Sequence, residues 1–463
     1  MADLIEVRDK YSGEVIGTVP SFQVEQLRTI INATHAAFDK HLGTFALHRR
    51  AEILAEAASL IQKRQEEFAI LIAREAGKPI KYSRKEVKRA SLTLQFSAEE
   101  AKRIHGETIP FEAEPRGGDR TGYWYRIPAG VVAAITPFND PLNLAAHKVG
   151  PAIAAGNSIL LKPASLAPLS AIKLVETLRE AGLPSDLVNV VTGDGESLGP
   201  ELATSSHVRV VTFTGGVEAG EKIAKLAGLK KVAMELGSNC PVIVMEDAPL
   251  DLAVSCILDA GFNCQGQNCL HAQRILIHES LFDELAQRLV EEAKCLRVGN
   301  PLDESTDIGP MITESEAIRV ERLVYEAVEK GATLMMGGER RGAVFTPTML
   351  TNVSRDAAIF SQEIFGPVVV ISRFRSMTDA IDESNSTRYG LQAGIFTKSI
   401  DNALRAISQL KFGAVLINDA SDFRVDFMPF GGMNHSGLGR EGVRFAIEET
   451  MTEIKTVIFR KPA

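Results

Sequence analysis

The sequence predicts an α/β protein: a doubly wound, Rossmann-like domain, a second α/β domain and a small β sheet. Three observations carry this. Between 130 and 237 short β-branched runs alternate with helical patterns, and the alternation resumes from 238 to about 432. Two alternating strands, 121–127 and 452–459, lie far apart in the chain. Strand and helix alternating at this spacing imply parallel pairing through right-handed crossovers. The boundaries are 1–115 with 129–237 for the first domain and 238–432 for the second. The segments 116–128 and 433–463 remain for the small sheet, which is expected to be shared between subunits.

Residues 4–19 alternate polar and apolar about Tyr11-Ser-Gly13, a hairpin pattern. From 22 to 105 apolar residues recur at three and four, as in Ile53, Leu54, Ala57, Leu60 and Ile61, the mark of amphipathic helices lying on a larger body. The pattern stops at Gly117-Gly118, and 121–127 is an aromatic strand. The first domain reads strand 131–135, a helix near 147–155, strand 158–161, helix 169–181 and strand 188–191. A further helix, strand 208–213, a helix from 218 and strand 231–234 complete it. The second domain reads strand 241–245, helix 250–262, strand 274–277, helix 281–296 and a helix around 318–330. Strand 368–372, helix 377–384, strand 394–397, helix 402–410 and strand 414–417 follow.

Composition narrows the function. With 463 residues, 45% hydrophobic and 24% charged, the chain is long enough for two or three domains with sizeable cores. A net charge of −8 argues against nucleic-acid and membrane-surface partners. The five cysteines are odd in number and sparse, unlike a disulfide framework, so a reducing, cytoplasmic setting is expected. No basic-then-apolar leader opens the sequence, and no apolar run reaches the roughly 18 residues of a membrane span.

The chemistry-bearing residues fall at strand ends and on one connection. In Gly261-Phe-Asn-Cys-Gln-Gly-Gln-Asn-Cys-Leu-His271 the second thiol, Cys269, lies between a helix and a strand, where it can face a cleft. Strand 208–213 runs through Phe213 into Thr214-Gly215-Gly216 and on to Gly220, placing free backbone N–H groups at a helix N-terminus suited to a pyrophosphate. Strand 158–161 ends in Lys162-Pro-Ala-Ser165, an ammonium and a hydroxyl for a ribose or its phosphate. Glu235, in Met-Glu-Leu236-Gly, is suited to a general base acting through water. Asn139, in Thr136-Pro137-Phe138-Asn139, can donate its amide to an oxyanion. Cys264 and Cys269 form a C-x4-C pair without further ligands, so no metal is expected.

In order and spacing, several short motifs together resemble the NAD(P)-dependent aldehyde dehydrogenases. They are Pro137-Phe-Asn139, Leu161-Lys-Pro-Ala164, Phe213-Thr-Gly-Gly216, Glu235-Leu-Gly237, Gly266-Gln-Asn-Cys269, Glu363-Ile-Phe-Gly-Pro367 and Pro429-Phe-Gly-Gly432, spread over nearly the whole chain. The resemblance implies that the first domain binds NAD or NADP, the second is catalytic, and the small sheet builds a homodimer or homotetramer. It makes Cys269 the nucleophile, Asn139 and the Cys269 N–H the oxyanion donors, and Glu235 the base that hydrolyses the thioester. It further implies that Glu363 contacts the nicotinamide ribose, Phe365 packs beside the ring, and Lys162 contacts the adenosine ribose. Thr136, Pro137, Phe138, Phe213, Thr214, Gly215, Gly216, Gly220 and Leu236 complete the expected cofactor set. Where NAD-preferring members often carry a ribose-binding glutamate this chain has Ser165, which leaves a 2′-phosphate unrepelled.

Around Asp422 to Gly432 and Ser436 to Gly442 the sequence is most similar to lactaldehyde, glycolaldehyde and phosphonoacetaldehyde dehydrogenases, which implies a short polar aldehyde. Arg424, His271 and Arg120, with Arg116 beside it, are the candidate cations for a carboxylate, sulfonate or phosphonate. Asn268 and Asp140 stand where phosphonate-handling relatives carry basic residues. Sulfoacetaldehyde, lactaldehyde and succinate semialdehyde therefore stay open ahead of phosphonoacetaldehyde. Glu235 argues against a CoA-acylating enzyme, which would need no hydrolytic base.

Overall fold

The structure, a computed structural model, describes residues 3–461. Asp3–Arg8 and Val15–Ser21 form the expected hairpin. The helices Val24–His41, Leu47–Lys63, Gln65–Ala76 and Ile80–Ala101 follow, burying one stripe each, as Leu54, Ala57 and Ile61 show.

The strands Val188–Val190, Ser158–Lys162, Val131–Ile135, Val208–Thr214 and Lys231–Glu235 stand side by side in that order, all parallel. The chain starts in the middle, builds outward on one side, then returns to build on the other. The ends of Val131–Ile135 and Val208–Thr214 thus flank the point where strand order reverses, the place where such sheets open a crevice. Every residue of Val131–Ile135, of Ser158–Lys162 and of the helix Asn143–Ala155 between them is buried. Burial on both faces is why these strands read as continuous apolar runs. Gly156, left-handed at φ 89°, ends the helix and turns the chain into the next strand.

The second sheet runs Thr333–Met336, Thr348–Thr351, Val368–Phe374, Ala272–His278, Cys240–Val244, Gln392–Phe396, Ala414–Ile417, parallel except for the first strand. The helices Leu250–Phe262 and Phe282–Ala293 contribute to the core on one face, Met377–Ser384 and Ile400–Gln409 to that on the other. Thr333–Met336, Thr348–Thr351 and the hairpin of Arg340–Arg341 with Val344–Phe345 have no counterpart in the sequence reading; segments of two to four residues are too short to show a period.

Thr452–Arg460, Arg120–Pro128 and Glu107–Thr108 make the small antiparallel sheet. The tail boundary at 433 needs correction. Gly437–Leu438 pairs with Lys231–Glu235 as an edge strand of the first sheet, and Val443, Ile447 and Met451 pack in that domain's core. Only the last strand belongs to the small sheet. Among the described residues, no helix is long and apolar enough to cross a membrane.

Candidate active site

Cys269 is held by a loop with an unusual backbone. After Phe262 the chain turns through Cys264, Gln265 and Gly266 at φ 50°, 58° and 65°, all left-handed. For the two non-glycine residues this costs on the order of 1–3 kcal/mol each. Side chains fasten the turn in place: Gln265 Nε2 donates to the carbonyls of Gly77 and Pro310, each at 2.9 Å, and Gln267 Oε1 accepts from Ile312 N at 3.0 Å. Gly266 has no room for a side chain, since a Cβ would fall 2.1 Å from the Gly366 carbonyl oxygen. Ser421 Oγ donates to Leu270 O at 2.7 Å. The half-buried Cys269 is thereby fixed just before the strand Ala272–His278.

Two cavities meet at this residue. One of about 970 Å³ opens at the strand-order reversal, and one of about 460 Å³ lies beyond it; Asn139, Leu144 and Cys269 line both. Pro137, Phe138, Thr214, Gly215, Gly216, Glu235, Leu236, Glu363 and Phe365 line the larger one. Gly216 caps the helix Val217–Ala227, and nothing lies within 4 Å of where its Cβ would be, so the helix N-terminus is open to the cavity. Phe138 and Phe365 meet edge to face at 5.8 Å on the rim. A crevice of mixed polar and apolar lining over a bare helix N-terminus, with the Thr214 hydroxyl buried and unpartnered, fits a dinucleotide.

The remaining expected cofactor residues stand behind that wall. Thr136 and Phe213 are buried, the latter in the core. Gly220 lets Leu236 approach, a Cβ there falling 2.3 Å from the leucine. Lys162 is buried near Gly195, and Ser165 Oγ donates to Gly193 O at 2.6 Å.

Glu235 is 4% exposed, and neither of its carboxylate oxygens has a hydrogen-bond partner. Burial, helped by the charge of Glu441, pushes it well above the usual carboxyl range. Glu441 behaves oppositely. Burial acts to raise it, but Lys148 at 3.0 Å and Arg424 at 3.1 Å outweigh burial and hold it at about 2. The Cys269 thiol is pushed well above its usual range by burial, with Arg424 pulling against the shift. Glu363 accepts from Ser238 N at 2.9 Å, and burial raises it to about 7.

Of the candidate cations, Arg424 lines the smaller cavity, its guanidinium 3.7 Å from the Phe430 ring centroid. His271 does not. Its ring is buried, Nε2 lies 3.0 Å from Gly261 O, and burial lowers it to about 4, so it is neutral and turned into the core. Arg120 fails for a different reason: it sits on the small sheet, donating to Asp119 and to the Arg116 carbonyl, and lines neither cavity. Arg116 pairs with Glu114. The sequence reading missed Lys78, Tyr82, Lys85 and Arg89, which line the smaller cavity from the start of Ile80–Ala101 and the turn before it. The available signal was Lys85 and Arg89 at i and i+4, on one helix face. Among the described residues no group of three or more His, Cys, Asp or Glu side chains is placed to hold a metal ion.

Residues 2–457 match the family model described as the aldehyde dehydrogenase family, and the chain belongs to that family of oxidoreductases. It is 47% identical to a 3-sulfolactaldehyde dehydrogenase of Priestia megaterium, over 99% of this chain and 95% of the relative. It is 48% identical to aspartate-semialdehyde dehydrogenase 1 of Pseudomonas canavaninivorans, over 98% and 96%. Its fold superposes with a TM-score of 0.95 on glyceraldehyde-3-phosphate dehydrogenase GapN of Methanocaldococcus jannaschii complexed with NADP, at 42% identity and covering 100% of both chains. The family and the doubly wound fold expected from the sequence are thus borne out.

Proposed function

We propose that this chain oxidises a short polar aldehyde to its carboxylic acid with NAD or NADP, through a thiohemiacetal and a thioester on Cys269. The observation that carries the reading is the position of Cys269 and Asn139 in the wall shared by both cavities, with the unpartnered Glu235 in the larger one. As thiolate, Cys269 attacks the carbonyl carbon, and the Asn139 amide and the Cys269 N–H stabilise the oxyanion. A nicotinamide dinucleotide in the larger cavity supplies the hydride acceptor. Gly215 and Gly216 would hold its phosphates, Lys162 and Ser165 the adenosine ribose, and Glu363 and Phe365 the nicotinamide end. Water activated by Glu235 then hydrolyses the thioester and restores the thiol. Ser165 supports NADP as well as NAD, having no charge to repel a 2′-phosphate.

The substrate reading is lactaldehyde, glycolaldehyde or a small anionic aldehyde such as sulfoacetaldehyde. Succinate semialdehyde is the alternative, with phosphonoacetaldehyde and CoA acylation behind it. A small cavity lined by charged groups supports a short polar substrate, as do relatives named for 3-sulfolactaldehyde and aspartate semialdehyde. Arg424 is the one sequence-chosen cation placed to meet an anion there. Exposed Tyr123, Tyr125, Ile454, Ile458 and Phe459 on the small sheet support pairing of copies into a homodimer or homotetramer.

The test is a pre-steady-state measurement at 340 nm with aldehyde and cofactor in excess over enzyme. Wild type should turn over continuously, and Cys269→Ala should form no NAD(P)H. Glu235→Gln should give a burst of about one equivalent and then stall, with an acyl group on Cys269 seen by mass spectrometry. Continuous turnover by Cys269→Ala overturns the mechanism.

A further inference from the structure

The larger cavity poses an electrostatic problem. A nicotinamide dinucleotide would bring its phosphate charges there, yet among the described residues four carboxylates line the wall, Glu218, Glu235, Glu316 and Glu363, against two cations, Arg319 and Arg388. Burial answers half of the problem, since it raises Glu235 well above the usual carboxyl range and Glu363 to about 7. The other two carboxylates are each met by one arginine: Arg319 Nε lies 2.8 Å from Glu316, and Arg388 Nη2 lies 2.7 Å from Glu218.

The two pairs stand at different places. Glu316 and Arg319 belong to the helix Glu314–Glu329, and Arg319 also donates to Ile364 O at 2.6 Å, next to Glu363. Glu218 is the second residue of the helix Val217–Ala227, whose open N-terminus at Gly216 faces the cavity. A carboxylate in the first turn suits an empty helix, because it answers the positive end of the dipole. For a helix that must receive a phosphate it is a competing charge. It lies within one turn, about 5 Å, of the N–H groups concerned, inside the roughly 8 Å over which salt screens charges.

Arg388 reaches Glu218 from the second domain, and its place is fixed apart from that contact. Its carbonyl accepts from His435 N at 3.1 Å, and its guanidinium lies 5.3 Å from the Tyr389 ring centroid. The Tyr389 hydroxyl in turn accepts from Glu363 N at 3.3 Å. Through its hydrogen bond Arg388 holds Glu218 below the usual carboxylate range, so the carboxylate is ionised at neutral pH. Glu218 is 80% exposed and Arg388 42%, and an exposed ion pair adds little to stability. Its effect falls on the neighbouring anion site instead.

We propose that Arg388 is a positioning residue for the cofactor, acting through Glu218: by neutralising the carboxylate in the first helical turn, it keeps the helix N-terminus able to receive the pyrophosphate. This rests on the assignment of the larger cavity to NAD or NADP.

Dissociation constants for NADH and NADPH test it, read by nicotinamide fluorescence with the full-length enzyme and no aldehyde. Arg388→Met should weaken both by about threefold to tenfold at low ionic strength, the worth of one unanswered charge within a helical turn of the phosphates. In about 0.5 M sodium chloride the deficit should shrink below about twofold. Glu218→Gln alone should bind at least as tightly as wild type, and adding it to Arg388→Met should restore wild-type affinity, because the charge to be answered is gone. A double variant as weak as Arg388→Met overturns the proposal, since Arg388 would then touch the cofactor itself or brace its loop. An absent deficit, or one that salt leaves unchanged, overturns it too. Failure of the wild type to bind either nucleotide overturns the cofactor assignment instead.

Discussion

Arg424 Nη2 donates to Glu441 across 3.1 Å, and Lys148 Nζ holds the other oxygen of the same carboxylate at 3.0 Å. The pair of cations keeps Glu441 ionised, and an ionised Glu441 keeps the unpartnered Glu235 from losing its own proton. A base needs that proton gone. Thioester hydrolysis should therefore rise with pH through the elevated Glu235 value, and Glu441→Gln, by removing the repelling charge, should move the rise to lower pH. Pre-steady-state hydrolysis rates across pH 6–9 would show it; an unmoved or upward-moved limb would refute the coupling.

Arg424 also opposes the burial that raises the Cys269 thiol. Arg424→Gln should slow alkylation of Cys269 by iodoacetamide at pH 8 by about threefold to tenfold, half to one unit of thiol pKa. Because alkylation needs no substrate, the readout separates this effect from any loss of anion binding. An unchanged alkylation rate would leave Arg424 with a binding role alone.

A methyl group at Gly237 would fall 2.2 Å from Glu363 Oε2, the far end of a movable side chain. Gly237→Ala should therefore fold and displace Glu363 from the cofactor cavity, raising KM for NAD or NADP about tenfold or more with little change in melting temperature. Gly266→Ala is the contrasting case. There the obstacle is the Gly366 carbonyl and φ is +65°, so stability and activity should both fall.

The sheets were legible because burial on both faces writes itself into runs such as Val131 to Ile135, and Cys269 was legible as the residue between a helical and a strand pattern. The substrate wall was not. His271, two residues past the nucleophile, turns toward Gly261 in the core, while Tyr82 and Lys85, remote in sequence, reach the cavity. Proximity along the chain says little across a period-two strand entry, and an exposed polar helix face reads the same whether water or a cleft lies beyond it.

Asp426 ties the helix Ile80–Ala101 to the catalytic loops: it accepts from Arg89 at 2.9 Å, Asn143 at 3.1 Å and His147 at 2.9 Å, and is 4% exposed. Burial acts to raise its pKa, but His147 and Arg89 outweigh it and hold it far below the usual carboxyl range. A carboxylate depressed on folding stabilises the native state above its unfolded value, about 4, and that stabilisation is lost as pH falls toward the folded value. Asp426→Asn should lower stability at pH 7 by about 1–3 kcal/mol, since it leaves the half-buried Arg89 with Asp140 alone to answer its charge. The gap in urea midpoint between wild type and variant should hold from pH 7 to about pH 5 and begin to narrow from about pH 4 down to pH 3, because acid starts to remove from the wild type what the substitution has already taken. Parallel curves over that range would mean that Asp426 is no better solvated by its partners than an unfolded carboxylate is by water.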